Sequence, residues 1–353
     1  MANGLELAAQ HDAAGRHEDA INALAVATKS GDIDAMTELS KRLIVGDRAP
    51  YLPAEGASLL NDAARQGSSS AQLCLACLTA LGAHVPQSWG AALGLLVEAA
   101  ERGSRSAADQ LRLLARADDP PRSGASASDY RGLARAIDVD GWFAPCAGIT
   151  LHDDPLVRQL PDLLPPELCR WLIAKARGRL RPALIYSGES SNDIADEMRT
   201  NSVAVWNLGC MDLVNVVLQY RIAAACGVPI ANLEAPTALH YKVGEQITNH
   251  YDFLNPSSPS YRTEIATRGE RVITFLTYLN DDYAGGETDF PRIGVRHKGQ
   301  RGCGLFFRNA HPTAGADARS LHAGRPPTSG EKWLVSQFIR SRAVFNTQAE
   351  NVG

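Results

Sequence analysis

The run ITNHYDF, residues 247–253, places two ionisable side chains, His250 and Asp252, two positions apart. On an extended backbone, side chains at i and i+2 point to the same face. The imidazole and the carboxylate would then converge while Tyr251 faces away. A third group of ligand type comes from a distant stretch, SLHAG, as His322. Two histidines and one carboxylate that leave positions open form the set that holds Fe(II) in non-haem oxygenases. Such an oxygenase needs an electron source, commonly 2-oxoglutarate, which chelates iron through its keto acid and needs a cation for its far carboxylate. Lys332 stands ten residues beyond His322 and opens the run KWLVSQFI. Lys332, Leu334, Ser336 and Phe338 share one face of that strand. A lysine among apolar neighbours must meet an anion, because an unpaired buried charge is expensive. Alone, an H-x-D is the spacing of many solvated turns; His322 and Lys332 make it two-thirds of an iron site.

The stretch 239–340 resembles the prolyl 4-hydroxylase group of Fe(II)/2-oxoglutarate dioxygenases. The resemblance rests on YKVGEQITNHYDF, RVITFLTYLN, GGETDFP, SLHAG and GEKW, in that order. It implies iron binding by His250, Asp252 and His322. It implies that Lys332 pairs with the far carboxylate of 2-oxoglutarate, helped by the hydroxyls of Tyr241 and Thr274. Val272, Thr274, Leu276 and Tyr278 share one strand face, which lets Thr274 point inward. Arg199, in MRTNS, matches a segment near the peptide site. GGETDFP reads as a structural turn into a strand, and His240, His297 and His311 as polar surface or strand residues without ligand spacing. Phe338 stands where the group usually has Trp, His297 where it has Pro, Pro327 where it has Val and Asn201 where it has Ser. None of these touches the metal set.

These residues need a β scaffold. From about residue 142 the chain alternates short β-like runs with turns such as DDYAGGE and GRPPTSGE, the texture of a sandwich or jelly roll. The resemblance implies a double-stranded β-helix with flanking helices over 142–345, with the motif core at 239–340. LPDLLPPELCRWLIAKARGRL and CMDLVNVVLQYRIAAACG read as helices. Residues 187–200, SGESSNDIADEMRT, have the polar, Gly/Ser-rich start of a flap beside the site.

The first third repeats itself. ATKSGDIDAM begins at Ala27, AARQGSSSAQ at Ala63 and AAERGSRSAA at Ala99, a period of 36. Gly31, Gly67 and Gly103 keep step, as do Leu39, Leu75 and Leu111. Such a period marks stacked supersecondary units, and A-A-x-x-G-x-x-x-A resembles Sel1-type repeats, relatives of the tetratricopeptide family. The expected architecture is an all-α helical-repeat solenoid over 1–116, then a linker at 117–141, where RADDPPRSGASASDY is rich in Pro, Ser, Gly and Asp. Cys74 and Cys77 form a C-x-x-C inside a helical pattern and read as core packing.

Bulk composition excludes other classes. The 353 residues carry a formal charge of -4, so no broad basic field invites nucleic acid or an anionic membrane. No run approaches the roughly 18 apolar residues of a spanning helix. The N-terminus shows no leader pattern, and seven scattered cysteines fit a reducing, cytoplasmic setting. The expected enzyme uses Fe(II), 2-oxoglutarate and O2, with ascorbate as a candidate reductant, and hydroxylates a prolyl residue of a peptide or protein, releasing succinate and CO2. The repeats could dock that substrate. Hydroxylation of a free amino acid or other small metabolite is the alternative, and a non-catalytic sensor the third reading.

Overall fold

The computed structural model describes residues 3–117, 127–183, 198–311 and 315–347. They form two compact units. One comprises the described residues of 1–142, 207–216 and 345–353; the other comprises those of 143–206 and 217–344.

The first unit is helical. After α1 (Gly4–Ala13) come three pairs: α2 (His17–Lys29) with α3 (Ile33–Val45), α4 (Pro53–Arg65) with α5 (Ser69–Leu81), and α6 (Trp89–Glu101) with α7 (Arg105–Leu114). Each pair begins 36 residues after the last, the interval read in the sequence. The turn within each pair holds Gly31, Gly67 and Gly103 at φ of 87°, 94° and 91°. The next helix starts on a side-chain cap: Asp32, Ser68 and Ser104 accept from the amides of Ala35, Ala71 and Ala107. Such caps contribute about 1 kcal/mol each. Small residues line the packed faces; Ala20, Leu24, Ala35 and Leu39 are buried in one cluster. Cys74 and Cys77 are buried in α5, where the Cys77 thiol donates to the carbonyl of Leu73, so the C-x-x-C is helix packing.

The segment expected as a linker is partly helical. Residues 118–126 lie outside the described residues, but α8 (Ala127–Ala136) forms and Arg131 pairs with Glu101 of α6 at 3.0 Å. Tyr130, Leu133, Ala134 and Ile137 have helical spacing, which the neighbouring Pro/Ser/Gly composition obscured. Trp142, in α9 (Val139–Phe143), belongs to the first unit: it is buried, its indole donates to Leu114 O at 2.8 Å, and Arg116 covers its ring. The second unit therefore begins one residue later than expected.

That unit is mostly antiparallel sheet. Its strands in chain order are β1 (Ile149–His152), β2 (Val157–Leu160), β3 (Arg181–Pro182), β4 (Ser202–Val205), β5 (Thr237–Tyr241), β6 (Ile247–His250), β7 (Arg271–Tyr278), β8 (Ala284–Gly285), β9 (Thr288–Phe290), β10 (Val295–His297), β11 (Gly304–Arg308), β12 (Ala310–His311), β13 (Gly315–Ala316), β14 (His322–Gly324), β15 (Pro327–Ser329) and β16 (Lys332–Arg340). An eight-stranded sheet has the order β1-β2-β11-β7-β16-β5-β4-β3, and a four-stranded sheet the order β10-β9-β14-β6. The inward side chains Leu239, Tyr241, Leu276, Phe307 and Leu334 of the large sheet share one core with Phe290 of the small one. Phe290 meets Phe307 edge-on with ring centroids 4.8 Å apart. The central strands β7 and β16 are buried on both faces. On the outer face, Arg177 of α10 (Pro166–Arg177) lies over Trp333, and Gln219 of α11 (Leu213–Cys226) donates to Gln337 at 3.3 Å. The flap expected at 187–200 falls mainly on residues 184–197, outside the described residues.

Gly56 shows how closely the helices of the first unit approach. A Cβ there would sit 2.8 Å from Ser40 O and 2.9 Å from Ile44 Cγ1. In an open helix, Gly→Ala gains about 1 kcal/mol of propensity; overpacking against backbone costs roughly 1–3 kcal/mol. Gly56→Ala should therefore lower the urea midpoint, and a rise would show that α3 and α4 can separate without cost.

Candidate active site

The register of the small sheet builds the site. β14 pairs antiparallel with β6 so that His322 stands directly opposite His250, and their rings lie 4.2 Å apart. β6 ends at His250. Asp252 therefore enters from the bend just past the strand, not from strict alternation within it. Tyr251, expected to face away, borders the same cavity as its neighbours and packs against Phe253. The extended geometry that would have turned it outward stops one residue before it.

Hydrogen positions follow from the partners. His250 Nδ1 lies 2.8 Å from Thr248 O, and His322 Nδ1 lies 3.0 Å from Ser320 O. A carbonyl only accepts, so each Nδ1 carries a hydrogen and each Nε2 is the ring nitrogen turned to Asp252. Those nitrogens stand 3.4 Å from Asp252 Oδ1 and 3.3 Å from Asp252 Oδ2 respectively. Burial alone would raise the Asp252 carboxyl; the pull of His322 and the hydrogen bonds from both imidazoles overcome it and hold the group well below the usual carboxylate range. One ligand atom from each of the three residues lies within 4.8 Å of the others, and this is the one such cluster among the described residues. Removing the protons from both Nε2 atoms leaves three acceptors facing one another, and these repel. A cation at their centre resolves that, and cis ligands on a first-row ion at about 2.1 Å stand roughly 3 Å apart. The donor set, two imidazole nitrogens and a carboxylate, is the one that suits iron(II).

The same three residues border a cavity of ≈ 760 Å³ in the second unit. Its deep end holds Lys332, only 1% exposed. Cross-strand register sets Lys332 opposite Tyr241. Its ammonium donates to Gly286 O at 2.7 Å and lies 5.2 Å and 5.6 Å from the rings of Tyr241 and Tyr278. Among the described residues no carboxylate lies within ion-pair distance of it. Burial pulls its pKa down to about 7, with Glu287 opposing weakly. Leu239, Leu276 and Leu334 form apolar walls between this end and the triad. Burial also pushes the Tyr241 phenol up to about 12, so it stays a neutral donor.

The structure relocates one expected contact. Thr274 does not border the cavity. It is buried beneath it, and its hydroxyl donates to Asp252 Oδ2 at 2.7 Å. The threonine that lines the deep end is Thr288, whose hydroxyl meets Tyr278 Oη at 2.7 Å. The GGETDFP stretch is thus both a turn and part of the pocket, supplying Gly286 O to Lys332 and Thr288 to the wall. Both threonines lie on strands that face inward; their depth, and so their roles, came only with the sheet packing.

Other expectations fare as follows. Arg199 lies on the cavity wall, half-buried, bridging β6 at Ile247 and donating to Asn201 Oδ1 at 3.3 Å. His240 and His297 are strand residues but buried, not superficial. His240 stacks on Trp333 at 4.1 Å, and burial, then Lys332, lower the His297 pKa to about 4. One group of residues had no sequence signal. Glu234 accepts from Arg271 at 2.8 and 3.0 Å and from Arg340, which also donates to Glu264. Arg271 covers the ring of Phe338 at 3.9 Å, so the network fixes the phenylalanine at the cavity's outer end.

A family model for the 2OG-Fe(II) oxygenase superfamily matches residues 236–340. The chain is 30% identical over 193 residues to a putative prolyl 4-hydroxylase of Acanthamoeba polyphaga mimivirus, covering 54% of this chain and 77% of that one. It is 28% identical over 228 residues to probable prolyl 4-hydroxylase 7 of Arabidopsis thaliana, covering 59% and 70%. Among solved structures, a viral collagen prolyl hydroxylase from Paramecium Bursaria Chlorella virus-1 aligns at 24% identity and a TM-score of 0.40, over 52% of this chain and 94% of that one.

The geometry makes a direct prediction about metal uptake. In anaerobic titrations with Fe(II) or Co(II), His322→Ala should weaken binding by more than about 100-fold, since one of three ligands is gone. Arg199→Ala should leave the midpoint unchanged. Equal affinity in wild type and His322→Ala would remove the triad as the metal site.

Proposed function

Because the chain belongs to the prolyl 4-hydroxylase-like 2OG-Fe(II) oxygenases, we propose that it hydroxylates a prolyl residue of a peptide or protein. The observation that carries this reading is one cavity with a His-Asp-His triad at one position and, at another, a buried ammonium with no carboxylate in ion-pair distance among the described residues. His250, Asp252 and His322 would hold Fe(II). Lys332, with the hydroxyls of Tyr241 and Thr288, would hold the far carboxylate of 2-oxoglutarate. When bound, iron and 2-oxoglutarate supply the O2-dependent chemistry that inserts oxygen into a C–H bond and releases succinate and CO2.

The chain's own residues supply orientation and exclusion of water. Thr248 O and Ser320 O hold the imidazoles in one tautomer. Leu239, Leu276 and Leu334 keep the space between ammonium and triad apolar, which strengthens each charged contact there. The two facing sheets support the reading of a double-stranded β-helix. The 36-residue helix pairs support that of a Sel1-type solenoid over 1–116, whose proposed task is to dock the protein substrate. Among the described residues no helix is long and apolar enough to cross a membrane; a cytoplasmic setting is part of the proposal.

Activity is tested by incubating the full chain with proline-containing peptides, Fe(II), 2-oxoglutarate and ascorbate. Succinate release with one oxygen atom added to a peptide prolyl residue is the expected result. Oxygen added to free proline or another metabolite and to no peptide would move the assignment to the small-molecule alternative. No succinate under any condition would sink the enzymatic reading. Removing residues 1–116 is a poor test of docking, because Cys74 and Gln110 bond Leu208 and Leu213 within the first unit. Substitutions on exposed helix faces that raise KM for a protein but not for a short peptide test it better.

Lys332 yields two further predictions. A lysine depressed to about 7 in the folded chain binds fewer protons than the unfolded chain from there up to its ordinary value, and carries its full cost below pH 7. Lys332→Met should therefore raise the Tm of the protein without co-substrate at pH 7, while 2-oxoglutarate no longer raises it further. A lower Tm would mean that the Gly286 contact outweighs desolvation. In the native chain the anion needs the ammonium, so 2-oxoglutarate affinity should be greatest below about pH 7 and fall by up to about tenfold per unit above it. A flat pH profile by calorimetry would take Lys332 out of that role.

A further inference from the structure

The contact that takes Thr274 away from the cavity continues one residue further. Asn309 follows β11 and is fully buried; its amide N–H donates to Val272 O, and its carbonyl accepts from Asp317. Its side-chain Nδ2 donates to Thr274 Oγ1 at 2.7 Å, and Thr274 donates to Asp252 Oδ2 at 2.7 Å. The directions are set by proton count. An ionised carboxylate only accepts, so the single hydroxyl proton of Thr274 goes to Asp252. The hydroxyl oxygen is then left with lone pairs, and Asn309 must present its NH2 group. That orientation leaves Asn309 Oδ1 buried without a partner among the described residues, a cost that a purely structural asparagine would avoid by turning over or by being apolar.

We propose that Asn309 and Thr274 form a positioning relay for Asp252. The relay locks the plane of the carboxylate and occupies Oδ2, leaving Oδ1 without a hydroxyl donor and so as the more basic oxygen turned to the metal. The inference rests on the functional reading above only in taking the triad as the metal site. Neither Asn309 nor Thr274 touches the cavity, so both act through Asp252. β7 supplies Thr274, and the loop after β11 supplies Asn309. The carboxylate that lies beyond the end of β6 is thereby tied to β7 and to the loop that follows β11. This compensates for the absence of a strand backbone under Asp252 itself.

The test is metal binding and ligand-field spectroscopy, not turnover. With Co(II) as the probe, Thr274→Val should weaken binding about 10- to 100-fold and shift the visible absorption bands, while Thr274→Ser should stay within about threefold of wild type with an unchanged spectrum. Asn309→Asp puts a second carboxylate in competition for the Thr274 proton and should weaken Co(II) binding about tenfold. Wild-type affinity and spectrum in folded Thr274→Val would overturn the relay while leaving the triad as the metal site. If Thr274→Val does not accumulate as folded protein, Asn309→Asp decides: wild-type affinity there overturns the relay equally. Absence of Co(II) uptake by the wild-type chain would instead remove the functional reading, and the relay with it.

Discussion

The site depends on one cross-strand register, the pairing of β14 with β6 that sets His322 opposite His250. A slip of β14 by one residue would turn His322 to the other face and leave His250 and Asp252 without their third partner. The register is held from both sides. β14 also pairs with β9, Ala323 opposite Asp289, and Arg325 and Arg296 close on the Asp289 carboxylate at 2.5 and 3.3 Å. At Gly324 a side chain would fall 2.8 Å from Ile247 Cγ2, so the strands approach there only because no Cβ intervenes. Three ligand-type side chains are thus gathered at one point.

The second electrostatic peculiarity has the opposite sign. Lys332 is taken from water into an apolar enclosure with one carbonyl as its hydrogen-bond partner. By the usual rule a buried ammonium is paired. Its neighbours here are aromatic faces, leucine side chains and hydroxyls, which tolerate a cation without neutralising it. Clustered metal-type ligands and, among the described residues, a cation without a carboxylate partner share one cavity, and both are unfavourable there. Such concentrations of cost mark sites shaped for ligands. They are carried by a well-packed frame: two facing sheets with Phe290 and Phe307 between them, and a double-sided burial of β7 and β16.

The helical unit obeys a simpler physics. Its interactions are between helices adjacent in sequence, each pair repeating the same cap, the same glycine turn and the same small-residue contacts. Because the determinants are local, the helix boundaries repeat at the interval of the motif itself. Where composition misled, at 127–136, the apolar period was present but masked by neighbouring Pro, Ser and Gly.

The sequence by itself determined the repeat interval, the strand runs, the three residues that the structure gathers as a candidate ligand set and the presence of an inward lysine. Each of these is carried by periodicity or by residue type at fixed spacing, which survives without knowledge of distant contacts. Tertiary structure alone decided which threonine reaches the cavity, that Thr274 and Asn309 instead support Asp252, and that Glu234, Arg271 and Arg340 brace Phe338. It also showed that Asp252 lies past the strand whose alternation was invoked for it, and that Tyr251 borders the cavity. The physical reason is that a strand pattern gives the face of a side chain but not its depth or its partner across the sheet. Those depend on register and on how two sheets pack, and both are set by residues far apart in the chain.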